Sequence, residues 1–106
     1  MNAQMKKGVI EMCILYYISK KDLYGYDVMR LMSSYFPDVE TSTFYAILRR
    51  LHKENALSCY EGKISDGPKR KYYKITDKGL LLLNEWRKDW ESMLKSVDGV
   101  FKTEDF

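Results

Sequence analysis

The side chains that perform covalent chemistry are scarce in this chain. It has one histidine, His52, and two cysteines, Cys13 and Cys59. No glycine-rich phosphate loop, zinc-ligand spacing or nucleophile elbow accompanies them. His52 has no carboxylate or nucleophile placed beside it in the sequence, so it reads as a solvated or phosphate-adjacent side chain. The cysteines lie in an apolar run and a strand-like run without a pairing signature. They read as free thiols, which suits a reducing cytoplasm. No catalytic role, metal or cofactor is expected.

What the chain does have is cations, hydroxyls and aromatic rings. Residues 1–78 carry 14 Lys/Arg against 9 Asp/Glu, whereas residues 79–106 carry 4 against 6. The basic excess therefore sits in one part of the chain, where a polyanion can use it. One stretch concentrates the relevant groups: Thr41, Ser42 and Thr43, then Tyr45, Arg49 and Lys53. At about 100° per residue, Ser42, Tyr45, Ala46, Arg49 and Lys53 lie opposite the apolar stripe Phe44, Ile47, Leu48 and Leu51. Short polar groups, one small residue and two cations make a face that fits the major groove, where base edges are read. A second basic group, Lys63, Lys69, Arg70 and Lys71, suits the phosphate backbone. Lys6, Lys7 and Tyr24 are placed to reach flanking phosphates. A polar outer face on one helix is usually only solvated; the reading rests on all of these parts occurring in order.

Those groups need elements to position them. Residues 5–18 are apolar on every side of a helix, so a surface beyond the chain's own small domain is expected to cover part of it. Residues 19–23 read as a polar turn. Residues 24–36 place Val28, Leu31, Met32 and Tyr35 at helical spacing, and Pro37 ends that helix. The third helix spans Thr41–Lys53, with Asn55 as its stop. Residues 57–62 and 70–76 then read as two strands joined by a basic turn through Asp66-Gly67-Pro68. Thr76 or Asp77 caps a last helix running to about Val97. Along it, Leu83, Trp86, Trp90, Met93, Val97 and Val100 alternate steps of three and four, a seam of the kind that pairs helices. Gly99 and the acidic Glu104-Asp105 are expected to fray. The fold expected is mainly α with a small β-hairpin: a winged helix-turn-helix over residues 1–76, followed by a long dimerisation helix within 77–106.

Lys6 and Lys7 ahead of an apolar stretch look like the start of a signal peptide. However, Glu11 interrupts the stretch, and no small-residue cleavage site follows. The longest uninterrupted apolar run, residues 12–18, falls far short of the roughly 20 residues a membrane span needs. A soluble, cytoplasmic protein with no membrane partner is expected.

Three stretches carry a family likeness: Leu23-Tyr24-Gly25-Tyr26-Asp27-Val28, Thr43-Phe44-Tyr45-Ala46-Ile47-Leu48-Arg49-Arg50-Leu51, and Arg70-Lys71-Tyr72-Tyr73-Lys74-Ile75-Thr76-Asp77-Lys78-Gly79. Together they resemble the signatures of PadR-family transcriptional regulators over about residues 7–97. The single C-terminal helix resembles the small subclass that dimerises through it. The resemblance implies a dimeric winged-helix repressor that binds a palindromic operator and often releases it on meeting a small molecule. Two positions depart from the pattern. Glu40 stands where Ser or Asn more often caps the third helix, and Phe44 stands where leucine is usual.

A helix of about 21 residues is roughly 32 Å long, longer than the face a small winged domain offers. A two-fold dimer would cover both its stripe and the first helix. Leu83, Trp86, Trp90, Met93 and Val97 are then dimer core. Trp90 also matches the position at which drug-responsive members of the resembled family carry a tryptophan. On that reading two copies of Trp90 sandwich a planar aromatic effector, with Trp86 less involved. The expected partners are double-stranded DNA, a second copy of the chain and such an effector. The alternative is a winged-helix module that binds protein through its tyrosine-rich surface.

Overall fold

The computed structural model describes residues 3–63 and 69–103, apart from the side chains at positions 3 and 63. The elements run α1 (Ala3–Lys20), β1 (Leu23–Tyr24), α2 (Gly25–Tyr35), α3 (Thr41–Lys53), β2 (Leu57–Lys63), β3 (Lys69–Ile75) and α4 (Asp77–Phe101). The winged helix-turn-helix expected from sequence is the architecture found. The Asp66-Gly67-Pro68 turn and the Glu104-Asp105 tail lie outside the described residues.

α1 is the central element, in contact with α2, β3 and α4. Its residues Ile10, Ile14, Leu15 and Ile18 are almost wholly buried, which explains a helix without a single apolar face. The chain's own elements surround most of it, and only a part is left for the further surface expected from sequence. Met5 and Tyr16 remain open, at 49% and 38% exposure. Val28 and Met32 of α2 and Phe44, Ile47, Leu48 and Leu51 of α3 complete one continuous core with Leu57, Tyr73 and Leu83.

The sheet has three antiparallel strands in the order β1-β3-β2. β1 replaces part of the expected polar turn, with Leu23 opposite Tyr73 and Tyr24 opposite Tyr72. Two residues with no alternation carry no strand signal of their own, and the ladder with β3 supplies the order. Asn55 follows α3 in the left-handed conformation, φ 64°, and its N–H donates to the His52 carbonyl at 3.1 Å. That closes the helix and turns the chain into β2.

α4 starts on a capping bond, Gly79 N donating to Thr76 Oγ1 at 3.0 Å. Gly79 is required there, since a Cβ would collide with the Ala56 carbonyl oxygen. The helix continues past the expected end near Val97 and includes Gly99. At 25 residues it is about 37 Å long. It accounts for a radius of gyration of 16.3 Å, where a compact domain of this size has about 13 Å.

Candidate nucleic-acid interface

The inner face of α3 is fixed by burial. Phe44, Leu48 and Leu51 are 0% exposed and Ile47 1%. The opposite strip, Ser42, Ala46, Arg49 and Lys53, is exposed throughout, and at about 100° per residue these four positions fall within an arc of roughly 60°. The two neighbouring arginines of this helix divide along the same line. Arg50 turns inward, with Nη2 2.8 Å from Glu11 Oε2 and Nη1 3.4 Å from Glu54 Oε2. The ion pairs with Glu11 and Glu54 hold the Arg50 guanidinium protonated, against the opposing effect of its partial burial. Glu11 is itself 9% exposed, so this pair locks α3 onto α1. Arg49 is exposed and makes no hydrogen bond or ion pair among the described residues.

Other side chains read from sequence as facing outward are partly engaged. Thr43 is half-buried. With Lys6, Lys7, Asp38 and Glu40 it lines a cleft of about 740 Å³ between the start of α1 and the start of α3. Lys6, expected to reach flanking phosphates, is paired with Asp38, Nζ to Oδ2 at 2.9 Å. That hydrogen bond lowers the Asp38 carboxyl below its ordinary range. Tyr45 is half-buried, its ring laid over Gly25 at the start of α2. Tyr24 ends β1 and is also the N-cap residue of α2. Its ring lies beneath the Arg70 guanidinium, 4.6 Å from carbon to centroid.

The wing separates its cations between two faces, because successive strand side chains alternate. Lys69 and Lys71 share the face of buried Tyr73, while Arg70 shares the face of Tyr72 and Tyr24. The four wing cations expected to meet phosphate are thus not on one face: Arg70 stands apart from Lys69 and Lys71. Lys69 Nζ lies 3.8 Å from Glu61 Oε2, both side chains being exposed. Lys71 Nζ lies 5.6 Å from the Tyr73 ring centroid. Burial pushes the Tyr73 phenol up, and both Lys71 and Arg49 act against it. Lys63 ends β2 opposite Lys69, and its side chain lies outside the described residues.

The other sheet face carries an aromatic array, whose members the tyrosine-rich surface read from sequence did not specify. Tyr60 stacks on Tyr72 at 5.6 Å, Tyr72 meets Tyr24 at 5.9 Å, and Tyr24 meets Tyr26 at 6.0 Å. The Arg30 guanidinium sits 5.9 Å from the Tyr26 ring, and the Tyr60 hydroxyl donates to Asp22 at 2.6 Å. The period-two spacing of Tyr24 and Tyr26 falls across a strand-to-helix junction, which hides it from a search for alternation.

The residues of the α4 seam also divide. Leu83 is 4% exposed and belongs to the chain's own core, so it is unavailable to a second chain, contrary to the seam reading. Trp86 packs on Gly8 so closely that a Cβ there would fall 2.6 Å from the ring. Trp90 is half-buried and borders two clefts. One, of about 580 Å³, is shared with Cys13, Tyr17, Tyr35 and Leu94; the other, of about 320 Å³, with Met5, Val9 and Met93. Beyond it the apolar residues stand open: Met93 48%, Leu94 50%, Val97 44%, Val100 63% and Phe101 82% exposed. Burial raises the Cys13 thiol in the larger cleft.

His52 is exposed at the end of α3. No three His, Cys, Asp or Glu side chains cluster as metal ligands among the described residues. No described helix is long and apolar enough to cross a membrane.

Comparison with known proteins places these features in context. Residues 14–85 match the family model described as the transcriptional regulator PadR-like family. An uncharacterised protein of Lysinibacillus sphaericus is 36% identical over 95 residues, 87% of each chain. Among solved structures, a PadR-like transcriptional regulator from Bacillus cereus superposes with a TM-score of 0.86 at 40% identity, covering 96% of this chain and 100% of that one. A Streptococcus transcriptional regulator gives 0.86 at 28% identity, with 95% and 100% covered. A PadR-like transcription factor from Bacteroides fragilis gives 0.77 at 33%, with 92% and 95% covered.

Proposed function

Because the chain belongs to the PadR-like family of transcriptional regulators, it is a DNA-binding regulator and not an enzyme, and we propose that it works as a homodimeric, ligand-responsive repressor on a palindromic operator. The observation that carries the DNA-reading part is the strip Ser42, Ala46, Arg49 and Lys53, exposed along one side of α3, in which Arg49 makes no hydrogen bond or ion pair among the described residues. In this reading Arg49, with Tyr45 at the edge of the strip, reads base edges. Ser42 and Thr43 meet phosphate or base. Lys53, Lys63, Lys69 and Lys71 hold the backbone, with Arg70 on the far face of the wing, Tyr24 beneath it, and Lys6 once released from Asp38.

Residues 1–76 form the DNA-binding unit and residues 77–106 the pairing unit. The open stripe Met93, Leu94, Val97, Val100 and Phe101 packs on its counterpart and on the partner's α1. This sets two reading helices on successive turns of the duplex. Half-buried Trp90, between two apolar clefts, supports a site for a planar aromatic effector completed by the second copy. Cys13 and Cys59, both free and half-buried, suit a reducing cytoplasm.

The test is a gel shift on the chain's own promoter region, with and without random competitor DNA. Salt-sensitive binding that survives competition is expected. Absence of salt-sensitive binding would favour the protein-interaction reading. For the effector, quenching of tryptophan fluorescence by planar aromatic dyes is expected to be lost in Trp90→Phe; quenching unchanged in that variant would contradict the site.

A further inference from the structure

The water-facing side of an antiparallel sheet ordinarily carries polar side chains. Here the outward register places Tyr72 opposite both Tyr60 and Tyr24, and the row continues to Tyr26 at the start of α2. The core does not account for this row. It lies on the other face, with Leu57 and Tyr73, and Tyr26 and Tyr60 are 48% and 44% exposed. The Tyr72 ring also fills the space that a Cβ at Gly62 would need, so β2 adds no side chain there. The rings spend their faces on one another and on cations. Tyr60 and Tyr72 lie 14° from parallel, and the Arg70 and Arg30 guanidiniums stand 4.6 and 5.9 Å from the Tyr24 and Tyr26 centroids. Ring edges, hydroxyls and charge remain for a partner. Nucleobases stack on free ring faces, so a single nucleic-acid strand does not fit this surface. One contact shows what does, since the Tyr60 hydroxyl already donates to the Asp22 carboxylate at 2.6 Å.

The charge around the row points the same way. Lys74 shares the outward face by strand alternation and is exposed. Arg30 leads from the row into a cleft of about 650 Å³ shared with Lys20, Lys21 and Asp27. With Arg70, these cations outnumber the two carboxylates, Asp22 and Asp27. Lys21, Arg30 and Lys74 make no hydrogen bond or ion pair among the described residues. We propose that the tyrosine row and this cleft form a docking surface for an acidic segment of another protein that also carries apolar side chains. Tyrosine and arginine are the types that dominate protein interfaces. The ring edges take apolar side chains, while the hydroxyls and guanidiniums take carboxylates. Tyr24 and Arg70 border the DNA-holding wing; Tyr26, Arg30 and Tyr60 have no part in the DNA reading, so the proposal does not depend on it.

The experiment is selection of a displayed random peptide library against the full chain, with random duplex DNA in excess to occupy the basic strip. The enriched peptides are expected to intersperse Asp and Glu with Leu, Ile or Phe. Their affinities, read by calorimetry, are expected to fall at least about tenfold in Tyr26→Ala and in Arg30→Gln. A smaller loss is expected in Tyr60→Phe, which keeps the ring and removes the hydroxyl. Affinity for duplex DNA and the circular dichroism spectrum are expected to stay as in wild type in all three variants. Arg30 is exposed, so Arg30→Gln reads the surface even if Tyr26→Ala loosens the start of α2. Enrichment without acidic residues, or peptide affinities unchanged in Tyr26→Ala and Arg30→Gln, would overturn the docking surface. No enriched peptide, together with weaker duplex binding in these two variants, would overturn it in favour of flanking DNA as the occupant.

Discussion

α3 and the distal half of α4 leave opposite kinds of surface open. α3 buries its apolar stripe completely in its own chain, with Phe44 and Leu48 at 0% exposure, and presents hydroxyls and cations outward. The distal part of α4 presents Val97, Val100 and Phe101 at 44%, 63% and 82% exposure. What an element leaves unsatisfied defines its partner. A basic polar strip gains from a polyanion, and an apolar strip gains from another apolar surface. The division of charge follows the same boundary, 14 Lys/Arg against 9 Asp/Glu up to residue 78 and 4 against 6 beyond it.

The comparison breaks most severely if the inner face of α3 is emptied. Phe44→Ala is expected to cost about 3–5 kcal/mol in denaturant unfolding. A loss below about 1 kcal/mol would mean that the α3 core is not the anchor of the fold. Val97→Asp places a charge in the open stripe of α4. It is expected to raise the dimer dissociation constant at least about a hundredfold while leaving the circular dichroism spectrum of the chain unchanged. Sedimentation equilibrium reads this directly, and an unaltered association state would remove α4 as the pairing surface.

Arg50→Ala is the smaller test of which arginine is structural. It leaves the buried Glu11 carboxylate without its partner and is expected to lower stability by about 1–3 kcal/mol. Because Arg50 is 40% exposed, the lower part of that range is favoured. Sequence-independent DNA binding per folded molecule is expected to change little.

Much of this division is readable from the chain alone. The spacing of Phe44, Ile47, Leu48 and Leu51 locates α3 at Thr41–Lys53, because a fully buried stripe admits one period. Asn55 and Thr76 mark a helix stop and start through local backbone chemistry. What sequence spacing does not carry is pairing over distance. β1 exists only through β3, and Arg50 differs from Arg49 only because Glu11, 39 residues away, meets it. Lys6 is held by Asp38 across 32 positions. Leu83 and Val97 share one heptad pattern, and periodicity cannot distinguish the chain's own core from a partner's. The separation of Arg70 from Lys69 and Lys71 does follow from strand alternation, once the three are placed in one strand.

The central claim is that the outer strip of α3 reads sequence while the wing holds phosphate. It is tested most directly by measuring the affinities of wild type, Arg49→Ala and Lys69→Ala for operator and random DNA across a salt series. Arg49→Ala is expected to lose about 1–3 kcal/mol on the operator with much less change on random DNA. Lys69→Ala is expected to weaken both equally and to reduce the salt slope by about one. Equal losses on both DNAs for Arg49→Ala would contradict the account.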